Sequence, residues 1–252
     1  TITVTLTGAN DAPTLAGNIT GSVTEDAATT TATGTLTSTD VDTGDTLTYS
    51  IAQTSGTYGS IAINADTGLW TYTLDNNDTD TDALAADASV TDTFSAIVTD
   101  AASAQSTAQT ITVTLTGAND TPTLAGDITG SVTEDATTTT ATGTLTSTDV
   151  DTGDTLTYSI AQTSGTYGSI AIDADTGLWT YTLDNTDTDT DALAADASVT
   201  DTFSAIVTDA ASAQSTAQTI TVTLTGANDA PVAIDIADLS TISNLSDYTF
   251  ID

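Results

Sequence analysis

The 252-residue chain has no lysine, arginine or histidine, and no cysteine or methionine. The first absence leaves 35 acidic side chains without one basic partner, a formal charge of −35. Phosphate contacts to nucleic acid need Lys or Arg, so that class of partner is excluded. Attraction to an anionic membrane surface fails for the same reason. Without cysteine there are no disulfides and no thiolate metal sites. Without lysine no amide crosslink to asparagine can form. No apolar run of about 18 residues offers a membrane insertion, and no signal peptide is present. Repulsion among the acids must be met by salt or by bound cations.

Thirty-three of the acids are aspartate; Glu25 and Glu134 are the only glutamates. Aspartate concentrated in turns suits caps, tight loops and hard cations. The organising stretch is Thr110-Ile-Thr-Val-Thr-Leu-Thr-Gly-Ala-Asn-Asp-Thr-Pro122, an alternating strand followed by an acidic joint. Nearly the same words begin at Thr1 and return at Thr219. Asn10, Asn119 and Asn228 are 109 residues apart, and residues 11–119 differ from 120–228 at five positions only. These are Ala12/Thr121, Asn18/Asp127, Ala28/Thr137, Asn64/Asp173 and Asn77/Thr186. Such self-similarity marks an array of units, each the size of an autonomous domain. The expected division is 1–10, the last strand of an upstream unit; 11–119 and 120–229, two full units; and 230–252, the start of a divergent unit or a docking strand. The chain starts and stops inside the pattern, so it reads as a segment of something longer.

Within a unit the apolar period is two, and Thr with Val, Ile, Tyr and Phe favours extended structure. Strands are expected at Ile19–Glu25, Thr33–Ser38, Leu47–Ile51, Tyr58–Ile63, Trp70–Leu74, around Phe94–Val98 and at Ile111–Leu115. Asn64–Gly68 reads as a hairpin turn, and the acidic crossing Asp75–Asp87 as holding one helical turn at Asp82–Ala86. Seven strands in about 100 residues, with one longer crossing, give an all-β fold of tandem immunoglobulin-like, Greek-key sandwiches. Trp70 and Trp179 lie in phase with Tyr and Leu on an inward face, so they read as core rather than as sugar platforms.

Strand order assigns each turn to an end of the sandwich. If the first strand runs from top to bottom, Glu25, Asp26 and Asp75 are at the bottom. Asp40, Asp42 and Asp100 are then at the top. Between the two units the bottom of the first meets the joint Asn119-Asp120 and the top of the second, with Asp149, Asp151 and Asp209. The same positions recur as Asn10-Asp11 above the first unit, and as Glu134, Asp135, Asp184 and Asn228-Asp229 below the second. Calcium takes six to eight oxygens from carboxylates, amides and carbonyls, which is what these groups supply; magnesium would demand a stricter octahedron. Asp78, Asp80, Asp82 and Asp87 read as solvated.

Several motifs occur together: Val23-Thr-Glu-Asp26, Gly34-Thr-Leu, Asp40-Val-Asp-Thr-Gly-Asp45, Trp70-Thr-Tyr-Thr-Leu-Asp75-Asn, Thr91-Asp-Thr-Phe94 and Asn119-Asp-Thr-Pro122. With them the chain resembles cadherin-type repeats and, more closely, the VCBS repeats of long bacterial adhesins of the RTX type. The resemblance covers both full units. It implies calcium-rigidified proteins on or outside Gram-negative cells, exported by type I secretion. It also implies ligand roles for Glu25 and Glu134, Asn119 and Asp120, Asp149 and Asp151, and Asp209. One departure stands out: cadherins follow the Leu-Asp of the bottom crossing with x-Glu. Here Leu74-Asp75 is followed by Asn76-Asn77 and Leu183-Asp184 by Asn185-Thr186, so one or two ions per joint are expected rather than three.

The leading expectation is a calcium-braced spacer of an extracellular adhesin or matrix fibre, whose partners are its own neighbouring repeats. The alternative is a filament subunit that joins like chains by strand exchange, since 1–9 and 230–252 are parts of unfinished units. An enzyme is not expected: paired carboxylates can hydrolyse glycosides, but duplicated, turn-borne aspartates do not make one water-excluding pocket. Asn18-Ile-Thr, Asn77-Asp-Thr and Asn244-Leu-Ser fit the glycosylation sequon.

Overall fold

The structure, a computed structural model, describes residues 1–230. The first repeat contains β1 (Thr14–Gly17), β2 (Thr20–Thr24), β3 (Thr31–Thr39), β4 (Thr48–Ile51), β5 (Gly59–Ile63) and β6 (Leu69–Leu74). A helical turn α1 (Thr79–Asp82), then β7 (Ser89–Thr99) and β8 (Gln109–Thr116) complete it. The second repeat has β9 (Thr123–Gly126), β10 (Thr129–Thr133), β11 (Thr140–Thr148), β12 (Thr157–Ile160), β13 (Gly168–Ile172) and β14 (Leu178–Leu183). It ends with α2 (Thr188–Asp191), β15 (Ser198–Thr208) and β16 (Gln218–Thr225).

Each repeat packs a sheet of order β1-β3-β6-β5 on one of order β2-β8-β7-β4, and the second repeat follows the same plan. All pairings are antiparallel except β2 with β8 and β10 with β16. The chain therefore opens in one sheet and crosses at once to the other. Gly17 makes that crossing at φ +114°, and a Cβ there would meet the Thr35 carbonyl oxygen at 2.5 Å. Only glycine fits both demands.

Eight strands form where seven were expected. The addition is β1, in which Leu15 alone is buried. The helical turn is centred nearer its start than expected, at Thr79–Asp82, because Asp78 caps it: its side chain accepts from the Asp80 N–H. Residues 1–10, expected as a strand, form none. Ile2, Val4 and Leu6 are exposed, the least of them at 76%. A strand needs a laddered neighbour, and among the described residues none pairs with this segment. The expected opening of a further unit at 231–252 lies outside the described residues.

Trp70, Tyr72, Ala96, Val98, Ile111 and Val113 are completely buried between the sheets, and Leu36 and Leu115 nearly so. Trp179, Tyr181 and their counterparts repeat this core. The indole N–H of Trp70 donates to the Asn18 carbonyl at 2.8 Å, so the ring is fixed at both its apolar body and its polar edge. An acid on a strand is buried as well. Asp92 on β7 accepts from the Thr57 N–H, the Tyr58 N–H and the Tyr72 hydroxyl at 2.8, 3.1 and 2.8 Å. A buried carboxylate with three donors is satisfied, and it pins the loop before β5. Burial pushes the Tyr72 hydroxyl far above its ordinary pKa, and the Asp92 hydrogen bond adds to the shift. Asp92 and its copy Asp201 are the only acids within the strands; every other described acid lies in a turn or at an end.

Candidate metal centre

The strand directions put the β3–β4 and β7–β8 loops at one end of each sandwich. The β2–β3 loop and the α1 crossing lie at the other. The linker 117–122 leaves β8 at the lower end of the first repeat. Its first residues are held there: the Ala118 N–H donates to Glu25 Oε2 at 3.0 Å. Its next residues are held by the second repeat. Asn119 Nδ2 donates to Asp209 Oδ2 at 2.9 Å and to the Asp120 carbonyl at 2.6 Å. The Asp120 N–H donates to Asp151 Oδ2 at 2.9 Å. Three linker groups, two backbone N–H and one side-chain amide, thus orient carboxylates from two repeats around one linker.

Two groups of oxygens result. Glu25, Asp82 and Asp120 each place a carboxylate oxygen within 4.8 Å of the others. Asp149, Asp151 and Asp154 do the same on the facing loop. In the second group Asp149 Oδ2, Asp151 Oδ1 and Asp154 Oδ2 are buried without a hydrogen-bond partner, and so is Oδ1 of Asn119. Buried oxygens of this kind normally have a donor. Here the chain can offer no basic side chain to meet them. The donor set is all oxygen, mostly charged, and suits a hard divalent cation.

The electrostatics agree. Burial pushes the Glu25 carboxyl above its ordinary value, with Asp120, Asp26 and Asp151 adding to the rise against the Ala118 hydrogen bond. Burial also raises Asp120, helped by Asp151, Asp82, Asp26 and Asp149. Asp151 is raised by burial too, with Asp149, Asp154 and Asp209 adding to it. Folding therefore penalises the ionised forms of these three groups when no cation is bound. In the unfolded chain they ionise near their ordinary values of 4.5 for Glu and 3.8 for Asp. The native state holds their protons to higher pH, so it is favoured in acid and loses that advantage as pH rises through the raised values. In chelator, the thermal midpoint is expected to climb as pH is lowered from 7 towards 5. Calorimetry showing a fall over that interval would contradict it.

The outer copies have the same parts with fewer neighbours. Above the first repeat, Asn10 Nδ2 donates to Asp100 Oδ2 at 2.8 Å and the Asp11 N–H to Asp42 Oδ2 at 2.7 Å. Asp40, Asp45 and Asp100 cluster there, with Asp40 Oδ2 and Asp45 Oδ2 unpartnered. The Asn10 hydrogen bond holds the Asp100 carboxyl below its ordinary value, with backbone donors adding to it. Below the second repeat, Glu134, Asp191 and Asp229 cluster, the last two exposed. There the Ala227 N–H donates to Glu134 Oε2 at 2.9 Å, and Asn228 Nδ2 donates to the Asp229 carbonyl.

Not every expected residue joins these groups. Asp75 is exposed and caps its own turn by accepting from the Asn77 N–H at 3.0 Å. Asp184 does so through the Thr186 N–H and hydroxyl, which hold its carboxyl low. Asp26 and Asp135 adopt left-handed backbone, at φ 53° and 55°, and point their exposed side chains outside the close groups. Asp26 still acts through its charge on Glu25 and Asp120. Conversely Asp82, Asp191, Asp45 and Asp154 belong to the clusters, though sequence reasoning left them out. For Asp82 the available signal was Asp78, whose cap starts the turn that carries it.

No curated protein sequence matches this chain. Among solved structures, PcdhgB3 EC1-4 is similar at a TM-score of 0.53 and 14% identity, over 86% of this chain and 50% of that one. Human protocadherin-24 EC1-2 gives 0.47 and 16% identity, over 88% and 100%. The human desmocollin-1 ectodomain gives 0.42 and 19%, and the chain spans only 42% of its length. The PcdhgB3 likeness is one of fold. The sequence profile described as the bacterial cadherin-like domain matches twice, at residues 10–117 and 119–226. The two matches coincide with the two sandwiches, and the chain belongs to the bacterial cadherin-like domain family, carrying two tandem copies.

Proposed function

We propose that this chain is a spacer segment of an extracellular bacterial adhesin or matrix fibre, and that calcium at each joint holds successive repeats in line. Cadherin-like domains are extracellular modules of structural and adhesive type rather than enzymes. Among the described residues no helix is long and apolar enough to cross a membrane. The observation that carries the reading is the set of four buried, unpartnered oxygens on Asn119, Asp149, Asp151 and Asp154 in a chain without basic side chains. Asn119 belongs to the linker and the aspartates to the second repeat; Glu25, Asp82 and Asp120 face them from the first repeat and the linker. A cation held by these oxygens neutralises charges that otherwise repel across the joint, and it ties the linker to both sandwiches. Extracellular calcium modules work at about 0.1–1 mM, so the joint is set outside the cell and loose where calcium is scarce. That loose state suits passage through a secretion channel of type I, as in the RTX-type adhesins with VCBS repeats.

Small-angle scattering tests it. The maximum dimension is expected to shorten and the profile to lose its rod-like character when calcium is chelated, and to recover on adding calcium. An unchanged profile would overturn the bracing role.

A second reading, a filament subunit joined by strand exchange, has one observation in its favour. Residues 1–7 repeat the words of β8, yet expose Ile2, Val4 and Leu6. Sedimentation at rising concentration separates the two: fibres support exchange, and a persistent monomer supports the spacer.

A further inference from the structure

The two repeats are nearly identical in sequence, so differences in burial between equivalent residues report what the joint itself covers. In the first repeat Ala83 and Ala85 are half-buried and Leu84 is buried; their copies Ala192 and Ala194 are exposed and Leu193 is half-buried. On the facing loop Val150 is 50% exposed where its copy Val41 is 76%, and Asp151 is buried where Asp42 is half-buried. Between these two segments runs one backbone hydrogen bond, from the Thr152 N–H to the Ala83 carbonyl at 3.1 Å. Thr43, the copy of Thr152, makes no such bond. The α1 turn of one repeat and the β11–β12 loop of the next are thus joined by a backbone hydrogen bond, and the residues around it are more covered than their copies.

We infer that the Ala83 carbonyl and the Thr152 N–H, with Ala83–Ala85 and Val150 covered around them, form a latch between the repeats that needs no metal. The joint then has two ties, the covalent linker at 117–122 and the latch, with the carboxylate groups close to both. Two ties define an axis. When the carboxylates repel, the repeats swing about that axis and open on one side, rather than moving freely in every direction. The metal-free joint is a hinge of one sense, and returning ions close it along the same path. The inference concerns the metal-free state and does not rest on the calcium reading, although it says how that reading's loose state would move.

The chain has no cysteine, so a pair of spin labels can be placed cleanly. The exposed serines Ser60 and Ser169, one in each repeat, are suitable as S60C and S169C. Pulsed dipolar distance distributions are then recorded in chelator and in calcium, for the parent and for T152P, which deletes the donor. T43P makes the same change in the loop that has no partner and controls for local damage. In chelator the parent and T43P are expected to give one narrow population. T152P, with the latched fraction lowered about fivefold by loss of one hydrogen bond, gives a broad one. A parent distribution in chelator already as broad as that of T152P would overturn the latch, as would equal broadening by T43P. Calcium bracing is judged separately, from whether added calcium shifts the parent's mean distance, so the two ideas can fail independently.

Discussion

Replacing Asp151 by asparagine is expected to shift stability in opposite directions with and without calcium. Asp151 Oδ2 accepts from the Asp120 N–H, and an asparagine carbonyl oxygen keeps that bond. Its Oδ1 is buried and unpartnered, close to Asp149 and Asp154. An amide NH2 at that position brings a donor among carboxylates and removes one of the charges that raise the Glu25 and Asp120 carboxyls. Without calcium, Asp151→Asn should therefore melt at a higher temperature than the parent. With calcium the sign reverses: an NH2 cannot be a ligand and the site has one charge fewer. The half-saturating calcium concentration should rise at least about tenfold, because the affinity of oxygen sites follows their charge count. Calorimetry in chelator and a calcium titration give both numbers. Asp184→Asn is the control, because Asp184 caps a turn outside the clusters and should leave the calcium titration unchanged. A variant less stable than the parent in both conditions would mean that Asp151 is only a structural hydrogen-bond acceptor.

Gly34→Ala is expected to cost one repeat about 3 kcal/mol or more, the sum of overpacking and a broken buried hydrogen bond. A Cβ at position 34 would stand 2.5–2.7 Å from Cζ2, Cε2 and Nε1 of Trp70. The indole cannot retreat, because it is completely buried and its Nε1 is bonded to the Asn18 carbonyl. Gly143 meets Trp179 in the same way, so Gly143→Ala should unfold the other repeat selectively. Thermal scans followed by tryptophan fluorescence should show two transitions where the parent has nearly one. The double change Gly34→Ala with Trp70→Phe should recover part of the loss, since the shorter Phe ring has no atoms where the benzo ring with Cζ2 lay. Full stability of Gly34→Ala would mean that β3 and β6 can separate locally, contrary to the packing described.

The strands of the core were legible because they obey a simple period. Trp70, Tyr72 and Leu74, or Ile111, Val113 and Leu115, alternate with threonine, and all six are buried. β1 was not legible: a four-residue strand with only Leu15 inside has no period to read. Residues 1–7 show the converse. They have the same pattern as β8 but form no strand, because pairing is a property of neighbours and not of the segment.

The carboxylates divide along a similar line. The sequence by itself determined that the acids have no basic partner, that nearly all lie in turns, and that one repeat's lower end faces the next one's upper end. Strand parity alone carries that much, since each alternation reverses the chain. Only the tertiary structure decided which acids within a turn come together. In Asn76-Asn-Asp-Thr-Asp-Thr-Asp82 the polar residues follow one another with no feature to rank them. The path of α1 around the Asp78 cap brings Asp82 to Glu25 and Asp120. Asp75, at the start of the same crossing, is turned onto the Asn77 N–H instead. Convergence within a few ångströms depends on where separate loops cross in space, and residue spacing along the chain holds no record of that.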